Sequence, residues 1–258
     1  MARLFAIIIL LVLTSTSSME AGEPKEPVNW CNEKLEWEMG VKFATERVSN
    51  GCKSCGKAVL PCLGVGYKIL DDVKLSVAVD TIAALKEKYG RVAPCLGILY
   101  TVTDVFTIDT GYTRYFYTFA SGDEQKYSNE IYGGIGVNIF LSPSLHAFYD
   151  FDNEDFSLKA KVMYEIDLGK RLMQGLGIEV SGDVGYETAK KSNGQWIEGE
   201  KRDFFFYGAG VDLAYTINKK AKAKVGGAWE GNSAKTHTWV NDVHRNFIWI
   251  NASVECSF

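Results

Sequence analysis

The sequence predicts an all-β fold, a transmembrane antiparallel β-barrel of about twelve strands. Three observations predict it. Apolar and polar side chains alternate in run after run from Leu35 to the last residue, the period-two signature of strands. The connections between runs alternate between longer loops and short turns, which a barrel with two unlike ends requires and a β-sandwich does not. The last run, Arg245 to Phe258, sets Ile248, Ile250, Ala252, Val254, Cys256 and Phe258 on one, apolar face and Arg245, Phe247, Trp249, Asn251, Ser253, Glu255 and Ser257 on the other, mostly polar one.

Composition agrees. Glycine is plentiful, proline scarce, and aromatic residues make up 13% of the 258, which leans towards all-β. A net charge of −4 with scattered Lys and Arg argues against a nucleic-acid partner. Residues 1–21 read as an export signal peptide: Arg3, the apolar run Leu4 to Leu13, then a small, polar tail. About ten apolar residues are too few to span a bilayer as a helix, and no other apolar run is longer. Residues 22–34 form an expected periplasmic lead-in and 35–258 the barrel. Lipid offers backbone groups no hydrogen-bond partner, so a chain without a spanning helix crosses only as a closed sheet.

The runs follow in order: Leu35–Glu46, Ala58–Leu70, Val73–Thr81, Arg91–Val102, Val105–Thr118, Ile131–Leu141, Leu145–Phe151, Phe156–Leu168, Leu176–Glu187, Asp203–Ile217, Ala221–Glu230 and Arg245–Phe258. Short turns are expected at Asp71-Asp72, Thr103-Asp104, Ser142-Pro143, Gly169 to Met173 and Asn218 to Lys220. Longer loops are expected at Arg47 to Lys57, Ile82 to Gly90, Phe119 to Lys126, Thr188 to Arg202 and Gly231 to His244. Asp152 to Asp155 is short where a longer loop is due.

The faces distinguish lipid from a dry core. In Phe156–Leu168 the apolar parity is Phe156, Leu158, Ala160, Val162, Tyr164, Ile166 and Leu168, against Ser157, Lys159, Lys161, Met163, Glu165 and Asp167. Small residues occupy many mid-strand apolar positions, among them Gly133, Ala160, Gly182, Ala209, Gly227 and Ala252. Acyl chains fill space around them, whereas a packed protein core would be left with voids. Aromatics gather near run ends, as two interfacial girdles require. A one-residue slip would turn Lys159, Lys161, Glu165 and Asp167 into lipid, at roughly 2–4 kcal/mol for a midplane Lys. Arg114 falls on the outward parity and is expected near the outer rim, where a long side chain reaches water.

Several stretches resemble the TorF family of Gram-negative porins. They are Glu46-Arg47-Val48-Ser49-Asn50-Gly51, Gly56-Lys57-Ala58-Val59, Asp109-x-Gly111-Tyr112 with Tyr115 and Tyr117, and Glu130-Ile131-Tyr132-Gly133-Gly134. The likeness runs from about Val41 to Phe258. It implies an outer-membrane barrel and a channel, with no catalytic residues. Six cysteines depart from the pattern of such barrels.

Parity assigns a lumen lined by Lys42, Asp80, Asp109, Glu130, Asp150, Lys159, Lys161, Glu165, Glu179, Asp183, Asp212, Lys222, Lys224, Glu230 and Arg245. Two readings stay open: a hydrated pore with a mild cation preference, or a barrel plugged by its own salt bridges, because twelve strands lie between filled and open barrels. Cys52 and Cys55 are candidates for a loop disulfide, and Cys31 with Cys256 for a bridge across the closing strands. Ser144, His146 and Asp150 share a face but lie ~7 Å apart per two-residue step, too far for a triad. His237 and His244 are too few for a metal site, so no metal, cofactor or enzyme activity is expected. The expected partners are outer-membrane lipid, small hydrophilic solutes, and the assembly machinery that reads a C-terminal strand ending in Phe258. The alternative is a non-conducting structural or adhesive barrel that displays its outer loops.

Overall fold

The computed structural model describes residues 34–49, 52–86, 89–118, 127–169, 173–189, 202–233 and 246–258. Fourteen strands occur among them: β1 (Leu35–Ala44), β2 (Arg47–Ser49), β3 (Cys52–Cys55), β4 (Ala58–Leu70), β5 (Val73–Ala84), β6 (Gly90–Thr101), β7 (Phe106–Thr118), β8 (Tyr127–Val137), β9 (Ser144–Asp150), β10 (Asp155–Asp167), β11 (Leu176–Ala189), β12 (Arg202–Asn218), β13 (Ala221–Asn232) and β14 (Asn246–Ser257). β1 and β4 to β14 close into one antiparallel barrel of twelve strands, and β2 pairs only with β3. β1 is bonded to both β4 and β14, so no barrel edge is left open. The expected signal peptide and all of the lead-in except Lys34 lie outside the described residues.

The faces follow the alternation. On β14 Ile248 and Ile250 are 76% and 60% exposed while Phe247 and Trp249 are each 7% exposed. On β12 Phe205 is 59% exposed between Phe204 at 2% and Phe206 at 0%. Leu63, Val77, Leu96, Ile108, Ile135 and Val162 extend the same exposed apolar band round the wall. An oily exterior of this extent is unstable in water and suits acyl chains.

Both chain ends of the barrel lie at one rim, with connections 71–72, 102–105, 138–143, 168–175 and 219–220. Connections 45–57, 85–89, 119–126, 151–154, 190–201 and 233–245 lie at the other. Bulges at Lys68/Leu70 and Thr216/Asn218 sit beside the two tightest turns, where extra local twist is needed to reverse the chain. Two turns are longer than the sequence pattern suggests. β8 stops at Val137 rather than Leu141, because Ser142 takes φ 39° and Pro143 has no N–H for a ladder. Residues 138–143 instead close on themselves, Ser142 N–H donating to the Ile139 carbonyl at 2.8 Å. The turn 168–175 ends in Gly175 at φ 83°, where a Cβ would lie 2.6 Å from the Thr216 carbonyl oxygen, so only glycine fits.

The largest difference is at 45–57. The sequence reading treats this stretch as a loop, whereas β2 and β3 form a small hairpin in it. Val48 is buried against Ala44, Phe247 and Trp249, and Cys55 against Ala58, Ile82 and Ala84. All six of these partners are on the inward parity of β1, β14, β4 and β5, so the hairpin packs onto the inside of the wall.

Candidate functional site

The interior is the candidate site. Its direction is fixed by ion pairs that step over intervening strands. Lys222 on β13 meets Glu179 on β11 at 2.5 Å and Glu165 on β10 at 3.3 Å. β10 and β13 are three ladders apart, about 14 Å along the wall at ordinary strand spacing, so these side chains meet only across the concave side. Lys224 joins Glu179 at 3.2 Å and Glu255 at 3.1 Å, making one five-membered ionic cluster near the short-turn rim.

Two further pairs cross a strand over a glycine. Glu36 on β1 accepts from Lys68 on β4 at 2.8 Å and from Lys74 on β5 at 2.6 Å. Lys74 passes over Gly66, where a Cβ would lie 2.1 Å from its Cε. Asp109 on β7 pairs with His146 on β9 at 3.1 Å over Gly134, where a Cβ would come within 2.2 Å of the imidazole. A residue without a side chain in the middle strand lets its two neighbours touch.

The remaining candidates are on the same parity. Lys159 pairs with Asp183 on the adjacent strand at 3.1 Å, its ammonium 5.5 Å from the centre of the Phe206 ring. Lys161 is exposed opposite Ser144 and Asp183. Lys42 stands opposite Leu60 and Ser253, and Asp80 opposite Cys62 and Ala93. Asp212 stands opposite Glu179 and Gly226, and Glu230 opposite Gly208 and Phe247. Glu130 accepts from the Tyr115 hydroxyl at 2.8 Å, with the Arg91 guanidinium 4.7 Å over the Tyr115 ring.

Asp150 has a different occupation. Its Oδ1 accepts the backbone N–H groups of Asp152 and Asn153 at 2.9 and 3.0 Å, and its Oδ2 accepts the Asn153 side-chain amide at 2.8 Å. It holds the 151–154 turn and is buried, which takes it away from both a passing solute and Ser144. The histidine nearest to an enzyme reading, His146, is turned towards Asp109 instead.

Arg245, Cys31, His237 and His244 lie outside the described residues, and of Cys52 only the backbone is described. Cys55 is buried under the hairpin, while Cys256 is on the outward parity of β14 opposite Met39 and Ala221. Phe247 and Trp249 lie inside, on the parity the sequence assigns them, whereas sequence reasoning did not single out Arg91, Phe204 and Phe206 as interior residues. Parity alone could have found them, since each alternates with an assigned outward residue.

Two cavities follow from this lining. One of about 390 Å³ lies beneath the hairpin, lined by Lys42, Glu46, Asp80, Arg91, Glu230 and Trp249. The other, of about 510 Å³, opens at the short-turn rim beside Glu38, Thr216 and Lys222. Cys62 and Glu255 line both.

Known structures share this architecture. The COG4313 outer membrane channel from Pseudomonas putida F1 superposes with a TM-score of 0.54 at 10% identity, covering 87% of this chain and 95% of that one. LpxR from Salmonella typhimurium gives 0.53 at 12% identity, covering 85% and 99%. The NanC porin gives 0.51 at 10% identity, covering 85% and 98%. The fold is that of outer-membrane barrels. At these identities the likeness speaks for the fold alone. No family model matches the chain, and no curated protein does.

Proposed function

We propose that this chain is an outer-membrane porin, similar to the TorF family, that passes small hydrophilic solutes. The observation that carries the reading is a polar interior with two cavities that share Cys62 and Glu255 in their linings, inside a wall whose outer surface is apolar. A binder of apolar ligands would have the opposite arrangement. The residues that carry the TorF likeness support it, since Asp109, Gly111, Tyr115, Tyr117, Glu130 and Tyr132 share the inward parity. Carboxylates outnumber ammonium groups in the cluster of Glu165, Glu179, Glu255, Lys222 and Lys224, which favours cations. Export through residues 1–21, a lipid surround and recognition of the strand ending in Phe258 by the assembly machinery belong to the same proposal.

Planar-bilayer recording of the purified protein tests it. Discrete conductance steps with cation preference are expected, and their absence would remove the porin reading. A second reading has its own observation: Phe204, Phe206, Phe247, Trp249 and Val48 are all buried at the long-loop end, as in a closed, non-conducting barrel. Liposome swelling in small sugars separates the two, because a closed barrel gives none.

A further inference from the structure

The wall carries a positive charge that the channel reading does not use. Arg114, on β7, is the one Lys or Arg on the outward parity of the described barrel strands. It stands four residues before the end of β7, about 13 Å along the strand and nearer 10 Å in height at ordinary tilt. That depth is within reach of the long-loop boundary of the apolar band for a side chain of this length. Its guanidinium is held 5.2 Å over the Phe116 ring and 4.8 Å over the Tyr127 ring.

Among the described residues no carboxylate makes an ion pair with Arg114, and its Nε is buried without a hydrogen-bond partner. Asp152, in the turn that follows β9, is already engaged: it accepts from the Asn129 backbone N–H at 2.8 Å and from its side-chain amide at 2.7 Å. The Asn129 side-chain Oδ1 in turn accepts from the Tyr112 hydroxyl. A guanidinium on the lipid-facing side, clamped by two rings and without a carboxylate partner among the described residues, is costly unless an anion reaches its terminal nitrogens from the bilayer. Guanidinium groups pair with phosphate by forked, charge-assisted hydrogen bonds.

We infer that Arg114, flanked by Phe116 and Tyr127, binds the phosphate of a lipid headgroup at the outer boundary of the membrane. The inference rests on the outer-membrane reading above. The site is on the wall's exterior and owes nothing to the lumen, so the two are tested separately.

The test uses the full mature chain refolded in detergent, its conductance recorded from the same preparation. It is titrated with phosphorylated lipid A, with the same lipid stripped of its phosphates, and with inorganic phosphate, bound equivalents being read by native mass spectrometry. The phosphorylated lipid is expected to bind about tenfold or more tighter than the stripped one, the scale of one charge-assisted hydrogen bond. Arg114→Gln should abolish that preference and leave conductance unchanged. Equal binding of the two lipids by the natural chain, or an unaltered preference in Arg114→Gln, would overturn the site. Inorganic phosphate displacing the lipid would make it a free-anion site and overturn the lipid assignment. Loss of conductance in the natural chain would count against the channel alone.

Discussion

The two ends of the barrel interior are built from different chemistry. Near the short-turn rim, charged side chains reach across the lumen to one another, as Lys222 does to Glu165 and Glu179. Near the long-loop rim the inside is packed with Phe204, Phe206, Phe247 and Trp249, and the β2–β3 hairpin lies on it through Val48 and Cys55. The same wall therefore supports a wet half and a dry half. Glycine at inward positions serves both: Gly134 and Gly66 let ions meet, while Gly185 accommodates the Phe206 ring, which a Cβ would approach to 2.2 Å. The interior is thus narrowed by packing at one end and by charge at the other.

Replacing residues 46–56 with a Gly-Ser linker removes the dry half's lid. Conductance should rise several-fold in planar bilayers, and an unchanged step size would show that the hairpin does not limit passage. Phe206→Ala opens a cavity against Gly185 and Lys159 in the same half, with a loss of about 3–5 kcal/mol in urea unfolding from liposomes. A loss below about 1 kcal/mol would mean the aromatic layer is loosely packed.

The wet half should respond in selectivity rather than stability. Lys222→Gln leaves Glu165 and Glu179 without their shared cation, so reversal potentials in a salt gradient should shift towards cations. Its cost in stability is expected near 1 kcal/mol or less, as for partly exposed ion pairs. A shift towards anions would contradict the assigned direction of these side chains. The smallest effect is expected from Gly134→Ala, which pushes the His146 ring off Asp109. The imidazole is the end of a flexible side chain, so the readout is a changed NMR chemical shift of its ring protons, with folding intact.

Much of this was legible in the sequence. Period-two alternation marks all twelve barrel strands and their faces, because each side of the wall meets a different solvent. What escaped depends on contacts between distant strands. That His146 chooses Asp109 over Asp150 follows from Gly134 lying between them, which needs the register of β7, β8 and β9 together. The hairpin escaped although Asn50-Gly51, between β2 and β3, is a strong hairpin signal, since short polar strands such as Arg47–Ser49 show no alternation to read. The aromatic layer escaped for a different reason. Phe205 falls on the outward parity and so turns Phe204 and Phe206 inward, but rings on the inward face run against the polar interior that alternation leads one to expect.

The seam between β1 and β14 has a consequence for how the molecule is made. Seven residue pairs join them, from Glu38↔Ser257 to Ala44↔Asn251, with Trp37 and Phe258 exchanging backbone bonds at 3.0 and 2.9 Å. Partners more than two hundred positions apart in the chain meet there, and the loop-closure entropy of that meeting is met late in folding. Until β14 is made, β1 has no partner on that side, so the wall cannot be sealed strand by strand as the chain is synthesised.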